Sequence, residues 1–200
     1  MNNHSKKIGI RQLTVTSMLS AMAFILMYLE ISIPIMPSFI KFDFSDLPAL
    51  IGAFALGPWF GVIIEFIKNV LHLVVSQSLF IGELSNFILG ATFVLTAGLI
   101  YQKKKTRQGA FLSGLAGSLI MGAVSIVANY FLVYPIYVKV FFDGDESVCV
   151  GMYQMIAPFV DTLMDCLLVF NLPFTVIKGL ISLGISMLIY KPLSRLIKGH

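Results

Sequence analysis

Charge is what this chain has least of. Only 12% of its 200 residues are Asp, Glu, Lys or Arg, against roughly 25% in a soluble domain. So few charges cannot cover a water-exposed surface, which excludes an ordinary soluble globule. Cysteine is scarce too. Cys149 and Cys166 read as two buried thiols on the outer side rather than a structural disulfide. Of the three histidines, His4 and His200 are terminal and His72 stands alone, so no metal or triad constellation is visible. There is no G-x-x-x-x-G-K-[ST] nucleotide loop, no H-E-x-x-H and no Cys/His metal spacing. These absences exclude a self-contained ATP-driven pump. They also predict a protein that is not an enzyme and carries no cofactor.

What is present is apolar: 58% hydrophobic residues and a mean hydropathy of +0.90. Leu13–Leu29, Leu47–Ile64, Leu84–Tyr101, Gly109–Val138 and Gly179–Tyr190 contain no charged residue. A helix needs about 20 largely apolar residues to cross a bilayer. Barrel strands would alternate apolar and polar residues, and these runs do not. Lys6, Lys7 and Arg11 precede an apolar stretch too long for a signal peptide, so it reads as the first span. The fold class expected is an all-α integral membrane protein, one domain of six transmembrane helices at about 13–33, 46–57, 59–76, 81–102, 109–137 and 171–193. Gly57-Pro58 separates the second from the third, and an amphipathic or interfacial helix is expected within Met152–Val169.

Basic residues mark cytoplasmic loops. The N-terminal tail, the Lys103–Arg107 loop and the C-terminal tail hold ten of the 14 Lys and Arg and none of the acids. Both termini are therefore expected on the cytoplasmic side of a multi-pass cell-membrane protein, with a net acidic outer face.

Polar groups inside a bilayer ask for a reason, since a central charge costs about 2.5–3.5 kcal/mol on insertion scales. Glu65, Lys68, Asn69 and His72 share one helical face, either as a structural ion pair or as ligand groups. Asn171, Thr175, Lys178 and Ser182 form a second stripe. Lys178 has no acid within a turn of its own helix and must meet a partner from another element or a polar ligand. Glu83, Asn86, Asn129, Tyr130, Asn171, Thr175 and a loop with Lys41 and Asp43 fall in the outer half. Together they suggest an outward-facing small-molecule pocket. Ser17-x-x-x-Ala21 and Gly114-x-x-x-Ser118-x-x-x-Gly122 suit close helix packing, against this chain or another.

Several of these residues carry a resemblance. Lys41-Phe-Asp-Phe-Ser-Asp-Leu-Pro-Ala-Leu-Ile-Gly52, Gly57-Pro58, Ile67-Lys-Asn-Val-Leu-His72, Gly82-Glu-Leu-Ser-Asn-Phe87, Asn129-Tyr-Phe131 and Pro173-Phe-Thr-Val-Ile-Lys-Gly179 resemble the riboflavin-specific substrate-binding (S) component of energy-coupling factor (ECF) transporters. The resemblance implies a subunit that captures riboflavin from outside. It would work with a transmembrane coupling subunit and two cytoplasmic ATPase subunits. It further implies that Asn129 and Lys178 hydrogen-bond the flavin, that Ile40, Lys41 and Asp43 belong to a gating loop, and that Ser17 and Ala21 contact the coupling subunit. The family often has Pro-Phe-Asn where this chain has Pro173-Phe174-Thr175, which exchanges a carboxamide for a hydroxyl. A flavin ring wants aromatic walls, and Phe39, Phe42, Phe44 and Tyr130 are the candidates. Two rival readings stand beside this one. The first is a proton-coupled secondary carrier of a small aromatic or heterocyclic solute, with Glu65, Lys68 and His72 as a relay. The second is a non-transporting membrane scaffold subunit.

Overall fold

In the computed structural model, which describes residues 9–198 and side chains through residue 189, nearly everything is helix. The terminal Lys6, Lys7, His4 and His200 fall outside the described residues. Helix α1 (Ile10–Tyr28) leads into a short antiparallel hairpin, β1 (Ile31–Ser32) with β2 (Lys41–Phe42). Then come α2 (Asp46–Ala55), α3 (Pro58–His72), α4 (Ile81–Lys103), α5 (Arg107–Ala128), α6 (Tyr134–Phe141), α7 (Glu146–Gln154), α8 (Leu163–Cys166) and α9 (Leu172–Lys198).

Five stretches are long and apolar enough to cross a membrane: Ile10–Tyr28, Pro58–Val75, Ile81–Lys103, Arg107–Phe141 and Leu163–Ile189. The sixth, α2, has ten residues and rises only about 15 Å, half a hydrocarbon core. Every residue from Asp46 to Phe54 is buried, because α1, α3, α4 and α9 all pack on it. Gly57, at φ 126°, turns the chain directly into Pro58 at the start of α3, where a missing N–H costs nothing.

Several boundaries differ from the sequence expectation. The first span stops at Tyr28 rather than 33, because Pro34 holds the residue before it extended and β1 pairs with β2. The fifth continues to Phe141 rather than 137, and the last begins at Leu163 rather than 171. Thr162 starts it with a capping box, its hydroxyl accepting from the Asp165 N–H at 3.2 Å. The helix expected within Met152–Val169 is instead α7, Glu146–Gln154.

Both long helices are continuous through a π-turn, Asn129–Val133 and Leu167–Asn171. The Tyr134 N–H reaches back five residues to the Asn129 carbonyl, and the Leu172 N–H does the same to Leu167. A proline follows each turn, Pro135 and Pro173. Proline has no N–H to give and its ring collides with the carbonyl four residues back. The wider turn relieves both problems and lets the helix run on.

The glycine-serine stripe of α5 packs within this chain. A Cβ at Gly114 would stand 2.3 Å from Leu183, and one at Gly122 would stand 2.5 Å from Val176, both on α9. Ser17 and Ala21 on α1 are exposed.

Candidate binding site

A cavity of about 240 Å³ opens at the end of the bundle formed by the hairpin, the α3–α4 loop and the two π-turns. Ile40, Lys41, Asp43, Glu83, Asn86, Asn129, Thr175 and Lys178 line it together. Phe42 and Tyr130 do not line it. Side chains alternate along a strand, so between Lys41 and Asp43 Phe42 turns away and packs edge-on against Phe44 at 5.0 Å. Tyr130 follows Asn129 around the π-turn; with Asn129 facing inward, its ring turns outward onto Phe131. Phe39 does form a wall, 5.0 Å from Tyr137, and Tyr134, Tyr137 and Phe174 complete the aromatic lining. These three escaped the sequence reading. The legible signal was Pro135 and Pro173, which fix where the π-turns fall and hence which neighbours face inward.

The polar half of the cavity rests on the segment Asp43–Asp46, at the junction of hairpin and α2. Asp43 Oδ1 accepts from the Ser45 N–H at 2.8 Å and from the Ser45 hydroxyl. Its Oδ2 accepts from Lys178 at 3.0 Å and from Asn86 Nδ2 at 3.3 Å. Lys178 also lies 3.3 Å from Asp46 Oδ2, while Lys68 donates to Asp46 Oδ1 and to the Ser45 hydroxyl, both at 2.6 Å. One short segment thus ties α3, α4 and α9 to the hairpin. Burial alone would raise the Asp43 carboxyl. The ammonium groups of Lys178 and Lys68 and the Ser45 hydroxyl outweigh that and hold it at about 2. The sign follows: this ion pairing stabilises the fold at all pH values above the ordinary carboxylate range and is lost only as pH falls toward about 2.

Lys178 therefore has its partners, supplied by the hairpin and α2. His72 meets Glu83 at 2.9 Å, and Glu83 also accepts from the Ser76 and Ser78 hydroxyls. His72 stands apart from the Lys68–Glu65 pair, whose separation is 2.7 Å, so among the described residues no hydrogen bond links the two pairs into one relay. Tyr134, Tyr153 and Asn171 close a ring: the Tyr153 hydroxyl donates to Asn171 Oδ1 at 2.7 Å, and Asn171 Nδ2 donates to the Tyr134 hydroxyl at 3.0 Å. Elsewhere on the lining, Lys41 pairs with Glu30 and bonds Gln77 at 3.1 Å.

Most polar atoms at the cavity are engaged with the protein itself. Among the described residues, those left over include Nδ2 of Asn129, whose Oδ1 accepts from Ser85 at 3.4 Å, the Thr175 hydroxyl and the third N–H of Lys178, together with the Tyr137 hydroxyl, Gln77 Nε2, His72 Nε2 and one Glu30 oxygen. Asn129, Thr175 and Lys178 each offer a donor.

Residues 11–190 match the family of ECF transporter substrate-specific components. The chain belongs to this family. It is 31% identical over 199 residues to the riboflavin transporter RibU of Staphylococcus aureus, spanning 98% of both chains. It is 37% identical over 131 residues to the riboflavin transporter FmnP of Bacillus subtilis, covering 64% of this chain and 69% of the other. A solved S component of a bacterial ECF transporter superposes with a TM-score of 0.73 at 31% identity, covering 94% of this chain and 98% of that one. An S component with these helices is a multi-pass cell-membrane protein.

Proposed function

We propose that this S component captures riboflavin from outside the cell for ATP-driven uptake by an ECF complex. Three of its unengaged donors, Asn129, Thr175 and Lys178, line an aromatic-walled cavity, and that observation carries the reading. The pyrimidine-like edge of a flavin presents two ring carbonyls, which need donors, and its fused rings fill aromatic walls. The names of the relatives point to the same vitamin. In this reading both termini are cytoplasmic and the cavity opens to the outer side, as the basic terminal and Lys103–Arg107 segments support. The coupling subunit and two ATPase subunits supply the energy, since this chain has no nucleotide loop. Purified protein is expected to carry flavin absorbance or to take up riboflavin on titration. Protein that does neither, while remaining monodisperse, overturns the assignment.

Orientation is testable at the hairpin. Phe39→Cys is expected to react with a membrane-impermeant maleimide on intact cells, with riboflavin protecting it. The native Cys149 and Cys166 are free and buried. Burial, with the Cys166 thiol adding, pushes the Cys149 thiol up to about 12, so background labelling should be low. Labelling from the cytoplasmic side alone would reverse the topology.

Thr175 decides how the chain manages without the family's frequent Asn. Helical Thr hydroxyls commonly bond back to the carbonyl four residues earlier, as Thr92 does to Ile88 at 2.7 Å. Among the described residues Thr175 makes no such bond and lines the cavity. A water between the short side chain and the ligand keeps most of the enthalpy at a cost of at most about 2 kcal/mol. Thr175→Asn is expected to bind riboflavin equally or better by titration. A loss of about tenfold or more would remove Thr175 from the ligand's edge.

A further inference from the structure

The cluster beneath the cavity does not balance if every group is ionised. Three carboxylates, Asp43, Asp46 and Glu65, face two ammonium groups, Lys68 and Lys178. The hairpin supplies Asp43, α2 Asp46, α3 Glu65 and Lys68, and α9 Lys178. Among the described residues, α4 brings Gly90 and the uncharged Asn86 to the cluster. The next titratable pair along α3, His72 with Glu83, is closed on itself. All five members of the cluster are buried, Glu65 and Lys68 completely. A single uncompensated charge in such a place is costly.

Donor placement shows which carboxylate differs from the others. Asp43 accepts four hydrogen bonds, from Ser45, Asn86 and Lys178, and both oxygens of Asp46 face a lysine. Glu65 has no hydrogen bond to either oxygen. Its Oε2 lies 2.7 Å from Lys68 Nζ but outside hydrogen-bonding angles, a contact of charge alone. Lys68 instead directs its bonds to Ser45 and Asp46. One turn along the same face, Asn69 Oδ1 is a second buried acceptor without a donor, while its Nδ2 is held by the Glu65 carbonyl at 2.8 Å. Opposite stands Gly90, where a Cβ would come within 2.3 Å of Glu65 Oε2. The carboxyl group is thus packed directly on the α4 backbone.

We infer that Glu65 is a proton-binding site, a neutral carboxylic acid that brings the cluster to zero net charge. One proton removes the surplus negative charge and adds a donor to a face holding orphan acceptors. It also matters to the ligand. A negative cluster under the cavity would oppose ring carbonyls approaching Lys178, whereas a neutral one does not. Only this last consequence rests on the riboflavin reading.

Infrared spectra of the purified protein in lipid, taken in H2O and D2O at neutral pH, test the proton itself. A carboxylic C=O band sensitive to deuteration is expected. It should vanish in Glu65→Gln and persist in Glu83→Gln, whose carboxylate lies outside the cluster. Riboflavin affinity of Glu65→Gln should stay within about threefold of native, because Glu65 does not line the cavity. Glu65→Leu serves as a second neutral replacement should Gln impair folding. A native spectrum without the band overturns the inference, whatever the ligand proves to be. So does a loss of about tenfold or more in affinity with both neutral variants. A native affinity that rises with sodium and loses that dependence in Glu65→Gln would put a metal cation, not a proton, at this position.

Discussion

Lys178→Ala is expected to destabilise the fold by about 3–5 kcal/mol and to weaken riboflavin binding by about 5- to 150-fold, the largest combined effect of any single change at the cavity. Two losses coincide. One is the donor that faces the ligand. The other is the ammonium group between Asp43 and Asp46, 3.0 and 3.3 Å away. Breaking a buried pair by removing one partner costs about 3–5 kcal/mol, because the remaining charge stays buried. Asn129→Ala removes a donor without stranding a charge, so about 1–3 kcal/mol and a 5- to 150-fold loss are expected there. A double variant separates the two roles of Lys178. Lys178→Met with Asp43→Asn lowers the positive and negative charge together and should recover thermal stability, yet affinity should stay low because the donor is still missing. Titration and thermal unfolding of the same preparations decide between them. Lys178→Ala protein that binds within a few-fold of native and unfolds at the native temperature would exclude the residue from both.

Ala21→Trp is expected to abolish ATP-dependent uptake while riboflavin binding stays within a few-fold of native. Ser17 and Ala21 are one turn apart on α1, and both are exposed. Their neighbours Thr16, Leu19, Ser20 and Ala23 form the buried face toward the rest of the bundle. A small-residue strip turned outward leaves room for another helix to approach closely, as membrane helices do at such positions. An indole there would hold the coupling subunit away without touching the cavity. Uptake is measured in vesicles containing the whole complex, and binding on the isolated subunit. Equal loss of both would make this face internal packing. The comparable stripe on α5 shows why exposure matters, since Gly114 and Gly122 lie against α9 and a larger residue there would disturb the fold itself.

Scarce charge and long apolar runs were enough to read a helical membrane protein from the sequence, because bilayer-spanning segments must satisfy every backbone group internally. The periodicity of Glu65, Lys68, Asn69 and His72, and of Asn171, Thr175 and Lys178, was enough to put each set on one helix face. It also brought most of the cavity's polar residues to notice. What periodicity could not say is whom each side chain meets. Lys178 and Asp43 are 135 positions apart, and nothing local links them. The same limit hid the burial of α2 from Asp46 to Phe54, the inward turn of Tyr134 and the outward turn of Tyr130. These depend on π-turns forced by Pro135 and Pro173 and on which helices surround each element. Tertiary structure also divided the polar groups into those engaged with one another and the few donors left facing the cavity. A hydrogen bond is a choice among neighbours in space, and only the folded chain determines who they are.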